Sequence, residues 1–308
     1  MQSHNGYYTL NSGHKIPTVA LGTWQSSSSD VKDAVKTALC AGYKSIDTAT
    51  LYGNEAAIGE ALSETISSGK VKREDLFITT KLWNDAHRAD EVEKSCKKSL
   101  QDLQLQYIDL LLIHWPWSGS ADWKDMSVNL DYVPLSETWK AMEQLVDQGL
   151  VKSIGISNFN VQLILDLICY ARIKPAVLQI EMHPYHPQEL LVQWCAKENI
   201  LVEAYCPLGL GSVPGMEGPK VQKLIERSEI QEIAGKYGKT AAQVLVAWGV
   251  TRGTRVLPKS VTASRIEENI GGAEFRLSEE DMEKIKNIPE RAVIYEIWSH
   301  LGLPIFSQ

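Results

Sequence analysis

No apolar run in this sequence approaches the ~18 residues that span a bilayer as a helix. Residues 1–10 are polar and lack the apolar centre of a secretion signal, and no Asn-x-Ser/Thr acceptor occurs. Cysteine is sparse: Cys40, Cys96, Cys169, Cys195 and Cys206 are odd in number, widely spaced and without a CxxC pair, so neither a disulfide framework nor a zinc knuckle is indicated. Together these absences lead us to expect a soluble cytoplasmic protein. Positive charge is also short, 31 Lys and Arg against 38 Asp and Glu, a net −7. That balance argues against broad nucleic-acid or anionic-membrane binding, and any phosphate site must be local. No Pro/Gly/Ser-rich linker and no repeat of 20–50 residues divides the chain. The dinucleotide fingerprint GxGxxG is missing: its nearest approach, Gly209-Leu210-Gly211-Ser212-Val213-Pro214, fails at the last position. Residues 235–240 end like a phosphate-binding loop, but Ile233 stands where the first glycine is required, and the segment reads as a turn between helices.

What is present is alternation, in a chain whose 44% hydrophobic and 22% charged content is ordinary for a globular protein. Short apolar runs at 19–21, 45–47, 77–81, 108–114, 154–157, 177–181, 201–205 and 255–258 read as strands. Helical periodicity occupies 31–41, 55–67, 88–103, 135–148, 161–171, 188–198 and 231–249, with two more helices at 265–271 and 279–288. Parallel strands joined by crossover helices are the simplest topology for that order, and eight such units close into a barrel. The expected architecture is therefore α/β: a (β/α)8 TIM barrel with an N-terminal β-hairpin around Asn11-Ser12-Gly13 and two extra C-terminal helices, in one domain over residues 1–308. Ser264 with Glu267, and Ser278 with Asp281, have capping-box spacing, and Gly42, Gly149 and Gly271 stand where helices should stop. Two inserts, 116–134 (with Trp117, Trp123 and Tyr132) and 208–219 (with Gly209, Gly211, Gly215 and Gly218), lengthen the loops after the fourth and seventh strands. In a barrel that is the functional face.

A polar or ionisable residue ends almost every strand: Asp47, with Tyr52 in its loop, then Lys81, His114, Ser157 with Asn158, Gln179, Tyr205, and Lys259 with Ser260. A closed barrel gathers these at one mouth. A phenol with its ordinary pKa of ~10 donates a proton poorly at neutral pH, whereas a neighbouring ammonium favours the phenolate and lowers that pKa. Lys81 is positioned to supply the charge, Asp47 to hold Lys81, and His114 to orient a carbonyl oxygen as a neutral donor. These four form the candidate catalytic group, equipped to protonate a carbonyl oxygen as hydride reaches its carbon. The basic, hydroxyl-rich turn Lys259-Ser260-Val261-Thr262-Ala263-Ser264-Arg265 leads into a helix whose amides and dipole favour an anion, and is the candidate phosphate site.

Seven ordered segments carry a resemblance: DTATLYGNE from Asp47 to Glu55, ITTKLW around Lys81, LLLIHWP around His114, GISNF from Gly155 to Phe159, QIEMHP from Gln179 to Pro184, AYCPLG from Ala204 to Gly209, and PKSVTASRIEEN from Pro258 to Asn269. On these the sequence resembles the aldo-keto reductase family. The resemblance implies NADPH-dependent reduction of aldehydes or ketones, with Tyr52 as general acid, Lys81 and Asp47 as its tuners and His114 as orienter. It implies that Ser157, Asn158 and Gln179 bond the nicotinamide carboxamide while Tyr205 stacks on the ring. Lys259, Ser260 and Arg265 would hold the 2′-phosphate, with Glu268 and Asn269 near the adenine. Gly22, Thr23, Trp24, Asp47, Cys206, Leu208, Val261 and Thr262 complete the implied cofactor contacts. The insert 208–219 looks like the family's loop over the pyrophosphate, which makes release a conformational step. One departure is Cys206, where many members place Ser.

Trp24, Trp83, Trp115 and Trp298 are expected to wall an apolar pocket above the nicotinamide, which with Tyr52 and His114 forms the candidate substrate site. Trp139, Trp194 and Trp248 take helical positions and read as packing. His183 and His186 have metal-like spacing, but Pro184 and Pro187 forbid the helix that would bring both imidazoles to one face, and no metal is expected. A competing reading is an NADPH-binding barrel that serves as a sensor, channel subunit or structural lens-type protein, which has no need of Tyr52 beside Lys81. A metal-dependent hydrolase would need a carboxylate and histidine cluster that is not there. The expected partner is a small carbonyl compound, with no nucleic acid or membrane, and the chain is expected to be a monomer or weak dimer.

Overall fold

The structure is a computed structural model, described here for residues 3–122, 125, 127–209, 220–295, 298, 301 and 303. An antiparallel hairpin, β1 (Tyr7–Thr9) and β2 (Lys15–Pro17), comes first. There follow β3 (Leu21–Gly22), α1 (Ser28–Cys40), β4 (Ser45–Asp47), α2 (Glu55–Ser67), β5 (Phe77–Leu82), α3 (Ala89–Asp102) and β6 (Ile108–Ile113). A second hairpin, β7 (Gly119–Asp122) and β8 (Ser127–Leu130), precedes α4 (Leu135–Asp147), β9 (Val151–Ser157), α5 (Val161–Tyr170), β10 (Val177–Glu181), α6 (Glu189–Lys197) and β11 (Leu201–Tyr205). The chain continues with α7 (Ser228–Tyr237), α8 (Ala241–Thr251), β12 (Arg255–Leu257), α9 (Ala263–Ile270) and α10 (Glu279–Lys286).

Eight strands pair in parallel in the order β3-β4-β5-β6-β9-β10-β11-β12. Parallel bridges from Val19 to Val256 and from Gly22 to Lys259, with the Ala20 and Gly22 amides donating to Val256 and Pro258 at 3.1 Å, join the first strand to the last. The barrel thus closes, and its strands are buried on both faces because helices cover the outside and side chains fill the inside. α1 shows how each helix docks: Ser27 accepts from the Asp30 amide, and Val31, Ala34, Val35, Ala38 and Leu39 form the buried stripe. α2 comes so close to the end of α3 that a Cβ on Gly59 would stand 2.1 Å from the Asp102 carbonyl oxygen; only glycine permits that approach. The first hairpin closes the amino end of the barrel, where Tyr8, Leu10 and Ile16 pack on Phe77, Leu110, Leu112 and Val177.

The two helices expected after the last strand are both present. Elsewhere the structure corrects the sequence reading. The apolar pattern over 231–249 is two helices, because Gly238 turns left-handed at φ +62° and Thr240 opens α8 with a capping box to Gln243, in agreement with the turn read over 235–240. The Ser264–Glu267 capping box does not form: Thr262 is the N-cap of α9, which begins at Ala263, so Ser264 lies inside the first turn. The Ser278 hydroxyl does accept from the Asp281 amide. The first insert folds as β7–β8, with Trp123 outside the described residues; residues 210–219 of the second, including Gly211, Gly215 and Gly218, lie outside them as well. No helix among the described residues is long and apolar enough to cross a membrane.

Candidate active site

A continuous cavity of about 840 Å³ opens at the carboxyl end of the barrel. It brings together every candidate catalytic, cofactor and substrate contact named from the sequence except Lys81, which lies directly beneath it with no exposed surface; of the candidate phosphate turn, Ala263 and Ser264 do not line it. The cavity also takes in Gln25, Leu51, Pro207, Ile225, Ala242, Leu257 and Tyr295, which sequence reasoning missed.

At its centre β5 carries Lys81 inward. The three ammonium hydrogens are all engaged: Nζ lies 2.6 Å from Asp47 Oδ1, 2.8 Å from the Thr48 carbonyl oxygen and 3.2 Å from Tyr52 Oη. Tyr52 ends a short 3-10 turn, Thr50–Tyr52, that Gly53 closes at φ +64°. The Thr50 hydroxyl ties this turn to β5 by donating to the Lys81 carbonyl at 3.0 Å. The His114 ring stands edge-on to Tyr52, centroids 5.8 Å apart, and edge-on to Trp83 at 5.1 Å.

Burial raises the Tyr52 phenol pKa; Lys81 pulls it down and Asp47 pushes it up, and the net direction is upward. The lowered phenol pKa expected from the sequence is therefore not found: desolvation outweighs the ammonium, and Tyr52 holds its proton. Burial works to lower the Lys81 pKa, but the Asp47 carboxylate and Tyr52 outweigh it and keep the ammonium charged. Burial, with Lys81 repelling a second positive charge, holds the His114 pKa well below its ordinary value, so the ring is neutral. Its Nδ1 has no hydrogen-bond partner among the described residues.

The floor beside this group is polar. Tyr205 donates to Asn158 Oδ1 at 2.9 Å, and the Asn158 amide donates to the His114 carbonyl at 2.9 Å and to Ser157 Oγ at 3.1 Å. Asn158 takes a left-handed φ of +64°, which Asn tolerates better than most residues. Gln179, 2% exposed, donates to Asp47 Oδ2 at 2.8 Å.

At the outer end lies the turn into α9. The Thr262 amide bonds Ser260 Oγ at 3.1 Å, and the helix begins without a side-chain cap. Lys259 reaches the Gln25 carbonyl at 3.3 Å, and burial lowers its pKa. The Arg265 side chain is exposed at the same rim, Glu268 accepts from the Thr240 hydroxyl, and Asn269 is buried. Cys206 bends the chain after β11 at φ +55°, and its carbonyl accepts from the Gly209 amide at 2.9 Å.

Aromatic rings wall the mouth. Trp298 meets Trp117 at 4.8 Å, Trp115 at 5.2 Å and Trp83 at 6.1 Å between centroids, so the insert after β6 and the C-terminal segment build one wall. Tyr295 stands 5.0 Å from Trp24 and 5.7 Å from Tyr205. Glu181, at the end of β10, fixes that segment by accepting from the Ile294 amide at 2.6 Å and the Tyr295 amide at 2.8 Å. His183 spends its Nε2 on Glu181 at 2.9 Å, and no group of three or more potential metal ligands exists among the described residues. Trp139 is core, its indole donating to the Ile173 carbonyl at 3.0 Å.

The profile of the Aldo/keto reductase family matches residues 18–290. Aldo-keto reductase family 1 member A1-A of Danio rerio is 46% identical over 295 residues, covering 93% of this chain and 91% of the relative. Aldo-keto reductase family 1 member A1 of Homo sapiens is 44% identical over 283 residues, covering 90% and 87%. Among solved structures, aldose reductase from Schistosoma japonicum superposes with a TM-score of 0.90 at 41% identity, over 98% of this chain and 99% of that one. Aldose reductase from Giardia lamblia gives 0.86 at 41% identity, over 94% and 98%. With a closed barrel, a lysine-backed tyrosine at its mouth and relatives matched along almost the whole length, the chain belongs to the aldo/keto reductase family.

Proposed function

We propose that this protein reduces aldehyde and ketone carbonyls, open-chain sugars and xenobiotic aldehydes among them, to alcohols, with NADPH as the reductant and Tyr52 as the proton donor. The observation that carries this reading is the contact of Tyr52 Oη with Lys81 Nζ at 3.2 Å, at the floor of a cavity large enough for a dinucleotide and a small substrate.

The residues present fit NADPH at both ends of the cavity. At the inner end the Gln179 carboxamide oxygen accepts from no group among the described residues, and the Ser157 hydroxyl hydrogen is uncommitted, so one acceptor and one donor match a primary carboxamide. Tyr205 offers its ring beside them. At the outer end Arg265, Lys259, Ser260 and the uncapped amides of α9 would hold a 2′-phosphate, the planar guanidinium suiting bidentate contact with a dianion. Bound there, NADPH supplies hydride.

The chain's own part is to hold and move one proton. Tyr52 stays protonated because its phenolate would be desolvated. When the carbonyl oxygen gains charge, the Tyr52 proton passes to it, and the phenolate left behind lies against the Lys81 ammonium that Asp47 keeps in place. His114, neutral, orients the carbonyl oxygen toward Tyr52. The tryptophan wall excludes water, which strengthens each of these interactions.

Purified protein with NADPH and a panel of aldehydes, followed by absorbance of the reduced cofactor, tests the reading. Consumption of NADPH that depends on the aldehyde is expected. Tight cofactor binding without turnover would favour a sensor over an enzyme and overturn the proposal.

A further inference from the structure

Below the cofactor floor a second buried ion pair crosses the barrel interior, and the reaction outlined above makes no use of it. Arg255 on β12 bonds Glu203 on β11, and neither side chain has exposed surface. The guanidinium is fixed on two further sides, donating to the Pro17 carbonyl at 2.8 Å and to Ser45 Oγ at 2.5 Å. The other Glu203 oxygen accepts from Gln179 Nε2 at 2.9 Å. Strand register sets this arrangement: Gln179 pairs with Glu203, and Glu203 with Arg255, so all three stand at one level on adjacent strands.

Gln179 Nε2 also donates to Asp47 Oδ2 at 2.8 Å. An amide nitrogen has two hydrogens, and here each meets a carboxylate. Turning the amide over would set its carbonyl oxygen between two anionic oxygens, where it is repelled and accepts from neither. We infer that Glu203, neutralised by Arg255, is a positioning residue that locks the Gln179 amide with its oxygen toward the cavity, and so selects a nicotinamide ring bearing a primary carboxamide over one lacking an N–H donor. Arg255 permits this by compensating a carboxylate that burial alone would disfavour. The inference rests on the reading of the cavity as a nicotinamide site.

The probe is binding, read by quenching of tryptophan fluorescence, of NADP+ and of its analogue in which an acetyl group replaces the carboxamide. Wild-type protein is expected to prefer NADP+ by about tenfold or more, since the locked oxygen is left unpaired by the acetyl group. Replacing both partners together, Glu203→Leu with Arg255→Leu, removes one of the two carboxylates that hold the amide without stranding a charge, and with Asp47 left as the other the preference is expected to fall by about fivefold. Should that protein not fold, Glu203→Gln keeps the shape but can turn either end of its amide to Gln179, and a smaller fall in the preference, about threefold, is expected. Equal binding of the two ligands by wild type, or an unchanged preference in a folded variant, overturns the lock. Failure of wild type to bind NADP+ at all would instead overturn the cofactor reading.

Discussion

Lys81 Nζ lies 3.2 Å from Tyr52 Oη and 2.6 Å from Asp47 Oδ1, so one buried ammonium is shared between a phenol that faces the cavity and a carboxylate that anchors it from behind. The arrangement sets a balance. Burial keeps the proton on Tyr52, while Lys81 lowers the cost of losing it once a negative oxygen arrives to take it. As the proposed proton donor, Tyr52 would be inert in the empty site and active only when substrate charge develops, which is where transition-state stabilisation gains rate.

Tyr52→Phe removes the hydroxyl and leaves the ring in place. Carbonyl reduction is expected to lose about 10²–10⁴ in kcat, the usual contribution of general acid catalysis, while the dissociation constant for NADPH changes by less than about twofold. Single-turnover kinetics and fluorescence titration check the two halves separately. Turnover close to wild type would refute the assignment of the proton donor.

Arg265 reaches the cavity rim beside Lys259 and Ser260. Arg265→Ala is expected to raise the Michaelis constant for NADPH by about 10–100-fold, the value of a charge-assisted bond to phosphate, with little effect on NADH. Initial rates with each reductant decide it. Equal changes for both would mean that the guanidinium does not read the 2′-phosphate.

The elements that carry the site were legible because a parallel barrel strand is an apolar run with a polar residue at its end, and the ends converge once the sheet closes. The rest depends on partners far away in the chain. Glu203 and Arg255 are 52 positions apart, and nothing in their local sequence says that both face inward. Tyr295 lies in a segment without periodicity and is placed by Glu181, 114 residues earlier. The β7–β8 hairpin leaves no pattern in the sequence because its strands are short, polar and half exposed, and α7 and α8 read as one helix because apolar spacing continues across the Gly238 turn. The sign of the Tyr52 shift required burial to be known, since charge alone points the other way.

His87 follows the same logic away from the site. It is 1% exposed with neither ring nitrogen paired among the described residues, and burial drives its pKa down to about 4. A folded-state pKa below the unfolded 6.5 means that the stability contribution is complete above pH 6.5 and is lost as pH falls toward 4. About 3 kcal/mol is at stake over that window from this residue, and His114 adds in the same direction. Urea unfolding at a series of pH values is expected to show a steep loss across that window in wild type and a shallower one in His87→Leu, which removes the titrating group and two unpaired atoms. Identical slopes would count against it.

Glu181 accepts from two successive amides, Ile294 and Tyr295, at the point where the C-terminal segment turns over the cavity. Tyr295 then packs on Trp24 and Tyr205, and Trp298 on Trp83, Trp115 and Trp117. Each bond to the carboxylate is worth about 1.5–3 kcal/mol, so Glu181→Ala is expected to release the segment while the barrel stays folded. On the proposed reading, in which the wall would contact the substrate and not the transferred proton, the Michaelis constant for an aromatic aldehyde should rise by about tenfold, with kcat changed by less than about threefold. Glu181→Gln, which keeps one acceptor oxygen for the two amides, should fall between. A loss confined to kcat would move Glu181 from the substrate wall to the proton-transfer group, and faster proteolysis after residue 290 in the alanine variant alone would support the clamp.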